Sequence, residues 1–201
     1  MKEWTPITEA AFNDVYTESR WNNQVRGNLH HIRDNVGHIP LSLLAAIAPL
    51  SLTPPALTQV ESSGAAPEPN WFVYNMDATS DEGLQWNFIV PPLYGTSAVL
   101  KVKYCKAAGT TGAVVFGARI AAVSDGEVLI SKTFGDVNTV TDTVPSTAGY
   151  VATAEISMVK VDGMAAGDFA TLYLYRDADN GSDNTTGDVG LIYAEMTYAI
   201  A

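Results

Sequence analysis

The chain has 201 residues, 47% of them hydrophobic, enough for one sizeable domain with appendages and too apolar for an intrinsically disordered coil. Lys and Arg total 11 against 22 Asp and Glu, a net charge of −11 that repels phosphate backbones and anionic lipid, so neither nucleic acid nor a membrane is expected as a partner. Only 16% of residues are charged, where about a quarter is usual, so part of the surface is expected to be covered by other chains.

The opening Met1-Lys2-Glu3-Trp4-Thr5-Pro6 lacks the apolar stretch of a signal peptide, and synthesis and assembly in a cytoplasm are expected. The lone Cys105 cannot form an intrachain disulfide or a cysteine-rich zinc site. Its place in an apolar strand pattern suits an inert, buried thiol.

In chain order, Thr8 precedes Phe12, Val15 and Tyr16 at helical spacing, a capped turn or two. A second helical run follows over 17–36. Trp21, Val25, Leu29, Ile32 and Val36 recur every three to four residues, and Gly37 stands where a left-handed C-cap belongs. Trp21, Asn28 and Asn35 share one heptad seam position, and Asn there trades stability for register. A helix this short is marginal alone and needs a surface to lie on. Its apolar residues are therefore candidate docking residues.

From Ile39 to Leu57 the sequence is almost wholly apolar, but Pro40, Pro49, Pro54 and Pro55 argue against a membrane helix. A free linker would be polar, so this stretch reads as a covered arm, with Leu43, Leu44 and Ile47 added to the docking set. Residues 60–70 turn to Ser, Gly, Ala, Pro and Glu, the composition of a hinge. The expected organisation is a helical docking segment over 1–38, an apolar Pro-rich arm and linker over 39–70, and a β domain over 71–201.

Strands are predicted at Trp71–Met76, Leu84–Val90, Ala98–Cys105, Ala113–Val123, Val128–Phe134, Asn138–Val144, Tyr150–Val159, Phe169–Tyr175 and Val189–Ile200, separated by Gly, Asp, Asn and Pro turns. Val99, Lys101, Lys103 and Cys105 alternate with Leu100, Val102 and Tyr104, the mark of a half-buried strand. The fold class is mainly β: an antiparallel β-sandwich of jelly-roll type preceded by the helical segment and the arm.

Chemistry is sparse. His30, His31 and His38 are the only histidines, and with none after Trp71 a Ser-His-Asp or Cys-His site in the β domain is excluded. No carboxylate stands at ligand spacing from them, so no metal ligand and no cofactor is nominated. The loop 177–188 concentrates Asp and Asn, but without the spacing of a calcium-binding EF-hand, and turn chemistry explains it. Trp71, Tyr74 and Trp86 near the entry to the β domain are candidate glycan-facing aromatics, against the alternative that they fill the core.

The run Ile7-Thr8, Phe12-Asn13 and Trp21-Asn22-Asn23-Gln24-Val25-Arg26-Gly27-Asn28-Leu29 with Ile32 resembles a pattern near the start of small tailed-phage virion proteins, with Gly27 where the familiar version has Asp. Phe134-Gly135, Asn138–Val144 and Tyr175–Asn180 are similar to segments of jelly-roll domains in phage decoration and fibre proteins. The resemblance implies a non-enzymatic virion structural protein, a homotrimer, with the major capsid protein or another virion protein as partner. Capsid decoration, of cement or head-fibre type, is the expected role. A tail-fibre protein recognising host glycans and a stand-alone carbohydrate-binding module are the alternatives.

Overall fold

The computed structural model describes residues 36–201. Ten strands follow one another: β1 Val36–Leu41, β2 Ala56–Glu61, β3 Asn70–Met76, β4 Glu82–Ile89, β5 Ala98–Cys105, β6 Ala113–Val123, β7 Asn138–Thr143, β8 Val151–Met158, β9 Phe169–Arg176 and β10 Val189–Ala199. They form two antiparallel sheets. One is six-stranded in the order β2-β3-β10-β5-β8, with β1 beside β10, and the other is β4-β9-β6-β7. From β3 to β10 the chain crosses between the sheets at every connection except β6–β7, which is jelly-roll winding.

Alternation places the core between the sheets. Leu100, Val102 and Tyr104 of β5 meet Val114, Phe116, Ala118 and Ile120 of β6, with Leu172 and Leu174 of β9 and Met196 of β10. On β5, Val99, Lys101, Lys103 and Cys105 take the outer face, as their spacing predicts. β10 carries a register shift between Leu191 and Tyr193, so the inward set runs Val189, Leu191, Ala194, Met196, Tyr198. The extra residue resets the alternation midway along the strand.

Connections 90–97, 124–137 and 159–168 lie at one end of the sandwich with the C-terminus, and 77–81, 106–112, 144–150 and 177–188 lie at the other.

Three expectations change. Residues 128–134 form no strand: Leu129–Ser131 is a single 3-10 turn whose apolar side chains stand at the surface. Val36 and Gly37 do not end a helix, since they open β1, which pairs antiparallel with β10 from Val36↔Ala199 to Leu41↔Ala194. Nor does the sandwich start at Trp71. The arm supplies β1, the linker begins with β2, and β2 pairs with β3 from Ala56↔Asn75 to Glu61↔Asn70. Prolines hid both strands, but β1 and β2 are edge strands, where a missing donor or a proline just before the strand is tolerated. The helical run before Val36, with Trp21, Val25, Leu29 and Ile32, lies outside the described residues. No helix among the described residues is long and apolar enough to cross a membrane.

Candidate functional site

Three surface features carry chemistry, and the first is the N-terminal clasp. After β1 the chain turns through a 3-10 turn at Leu43–Ala45 and reaches the edge of β4, where Ile47 exchanges two backbone hydrogen bonds with Gln85, at 2.8 and 2.9 Å. It then returns as β2. The clasp thus joins one sheet, crosses to the other and comes back. Trp86 pins it: the indole N–H donates to the Ser42 carbonyl at 2.8 Å. Trp86 is only 3% exposed, so it is a core residue and cannot face a glycan. Of the arm's docking candidates, Leu43 packs against the core, whereas Leu44 is 68% exposed and Val36 and Ile47 are about half exposed. Leu50 and Leu52, which sequence reasoning left out, are exposed as well.

The second feature is a groove of about 560 Å³ on the outer face of the six-stranded sheet. Trp71 and Val60 form one wall, Val73 and Cys105 the floor, and Asn75 and Asp188 polar parts of the lining. Gly190 makes the floor possible, since a Cβ there would meet Val73 Cγ1 at 2.5 Å. Trp71 is 40% exposed and available for stacking, while Tyr74 is partly buried against the core. The three candidate aromatics are therefore not brought together. Cys105 is half-buried, and burial pushes its thiol up from its ordinary value, away from reactivity.

The third is the acidic loop 177–188. Arg176 ends β9 fully buried, its guanidinium gripping Asp183 through Nε at 2.9 Å and an NH2 nitrogen at 2.7 Å, with further bonds to the Thr185 and Gly187 carbonyls. Asp183 also accepts the Val115 N–H. Beside it the buried Lys106 ammonium donates to the carbonyls of Thr186, Gly187 and Asp188 at 3.0 to 3.3 Å. Burial, and then the Arg176 charge, lower the Lys106 pKa from its ordinary value. Carbonyls of the loop, which a calcium ion would need alongside carboxylates, are thus partly taken by protein cations. No sequence pattern signalled this, because Lys106 and Arg176 stand far from one another in the chain.

What remains for a metal ion, among the described residues, is the set Asp81, Asp177 and Asp179, whose ligand atoms lie within 4.8 Å of one another. Burial, then the Asp179 and Asp177 carboxylates, raise the Asp81 pKa against the lowering effect of the Ala178 N–H it accepts. Asn180 donates to Asp177 at 2.8 Å, satisfying one of the three within the loop. His38 lies in β1, within the sandwich, and its Nδ1 is 3.2 Å from Glu195 Oε2, which Tyr193 also contacts through its hydroxyl at 3.2 Å. His38 is exposed and Glu195 partly so, and among the described residues no nucleophile is hydrogen-bonded to the ring.

No family model matches the chain. No curated protein matches it either. Among solved structures it is similar to the family 11 carbohydrate-binding module from Clostridium thermocellum in complex with a mixed-linked tetrasaccharide, at 14% identity and TM-score 0.37, over 83% of this chain and 90% of that one. It is also similar to a chain of infectious bursal disease virus, Gx strain, at 13% identity and TM-score 0.37, over 82% of this chain and 32% of that one. A third is the stem and receptor-binding domain of the spike protein P1 from bacteriophage PM2, at 12% identity and TM-score 0.29, over 83% of this chain and 96% of that one. Likenesses this distant assign no activity to the chain.

Proposed function

We propose that the protein is a non-enzymatic virion component that decorates the phage head and assembles with copies of itself and with the shell. The observation that carries this reading is the clasp. Leu44, Ile47, Leu50 and Leu52 stand exposed on a segment anchored to both sheets, and residues 1–35 lead directly into it. Apolar side chains held at the surface by an anchored backbone suit a permanent protein partner. The low charge content favours the same reading. Copy number on purified particles is the test. Hundreds of copies per particle are expected of a shell decoration, and a few copies would point to a tail position instead.

A second reading is supported by Trp71. An exposed indole beside an amide and a carboxylate, in a groove of saccharide dimensions, can stack on a sugar ring and bond its hydroxyls. Host-glycan recognition by a fibre would use that groove. A glycan array separates the two, since a decoration protein is expected to select no sugar.

A further inference from the structure

The end of the sandwich that receives the C-terminus carries both a knob and a hole. The knob is the turn in the β6–β7 connection, where Val128, Leu129 and Ile130 are consecutive and exposed, Ile130 to 97%. Nothing in the fold requires three apolar side chains there, since the turn adds none of them to the core. The loop is also held in place: Lys132 pairs with Asp162 at 3.0 Å, and the Gly135 N–H donates to Ile120 at 2.9 Å. An apolar knob on an anchored loop is a surface kept for contact.

The hole is a pocket of about 550 Å³ between segments 94–99 and 157–164. Tyr94, Val99, Met158, Val159, Val161 and Met164 supply its apolar lining. Its volume admits more than one aliphatic side chain, and Val159 on its rim is 80% exposed. Ser97 and Asp162, at φ 60° and 55°, are the only non-glycine residues with positive φ among the described residues, and one belongs to each of the two flanking segments. Backbone held in that sparsely populated region is typical of preformed clamps. Asp162 is fixed by Lys132 and by the Ala122 N–H, so the rim is set before anything binds.

In one molecule the knob does not fill the hole, because Ile130 is bare. We infer that the Val128–Ile130 knob of one copy inserts into the 94–99/157–164 pocket of a second copy. The occupant is argued from complementarity. An exposed Glu127 flanks the knob and an exposed Lys160 flanks the hole, so docking brings opposite charges to the rim while apolar groups meet inside. Knob and hole share one end of the molecule, so two copies can satisfy each other reciprocally about a two-fold axis, or the contact can repeat head to tail from copy to copy. It holds whether or not the final assembly is a virion.

Site-directed cross-linking tests this on the full chain. With Cys105→Ala as parent, Ile130→Cys and Val159→Cys chains are made separately and mixed with a short thiol-to-thiol cross-linker. Both positions are exposed, and unchanged melting temperatures would verify that the variants fold. The expected result is a cross-linked pair containing one chain of each kind, abundant in the mixture and absent from either chain alone. Copies held together elsewhere, for example through residues 1–35, would give no such selectivity. Absence of the mixed product, or equal cross-linking of Ile130→Cys chains to each other, would overturn the inference.

Discussion

The clasp, residues 36–61, and the acidic loop, residues 177–188, both close an open margin of the sandwich, and they do it by opposite means. The clasp is held by backbone pairing to β10, β4 and β3 and by one indole hydrogen bond, and it turns leucines outward. The loop is held by two buried cations, Arg176 and Lys106, which satisfy its carboxylate and carbonyls from within. The difference separates a surface that is finished from one that is not. The Asp183 carboxylate and the inward carbonyls of the loop have their partners already, whereas the apolar side chains of the clasp gain only by meeting another chain.

The largest expected effect breaks the finished side. Arg176→Met leaves the buried Asp183 carboxylate without its counter-ion, and losing one partner of such a pair costs about 3–5 kcal/mol. Chemical denaturation is expected to read that loss with an unchanged slope. Lys106→Met strands three carbonyls instead of a charge, so a smaller loss of about 1–3 kcal/mol is expected in the same assay. On the clasp, Trp86→Phe keeps the ring in the core but removes the bond to Ser42, at about 1 kcal/mol. Amide exchange at Ile47 and Gln85 is expected to quicken while the centre of β9 stays protected.

A subtler effect concerns pH. The folded-state pKa of Asp81 is raised, so the folded protein holds that proton over a range where the unfolded chain has released it. Stability therefore falls as pH rises from the ordinary carboxylate value through the raised one. Asp81→Asn removes the dependence. Its melting temperature relative to the parent is expected to be higher at neutral pH than in acid below that window. The same scan with a chelator tests the Asp81, Asp177 and Asp179 set, and no drop in melting temperature is expected if the loop relies on its own cations.

Much of this architecture was legible because period-two patterns are strong where one face is buried. β5 and β6 fall on their predicted bounds for that reason. Val128–Ile130 misled because three consecutive apolar residues mimic a buried strand when burial is not known. β1 and β2 were missed because Pro40, Pro54 and Pro55 suggested irregular chain, and edge pairing is decided by tertiary context. Trp86 could not be told from Trp71 by residue type: one points inward from β4, the other outward from β3. The buried cations were invisible because Arg176 and Lys106 meet only through the crossing of the sheets. Removing residues 1–57, which the sequence places outside the β domain, would strip β1 and uncover Trp86, so a truncation that spares the sandwich must stop before Val36.

Replacing both Leu44 and Leu50 by Ser in the full chain tests the central claim most directly, with occupancy measured on purified particles alongside the melting temperature. Exposed substitutions of this kind are expected to move stability by no more than about 0.5 kcal/mol, so the melt should match the parent while occupancy falls severalfold. Normal occupancy with an unchanged melt would contradict the account, because the clasp leucines would then face solvent in the assembled particle.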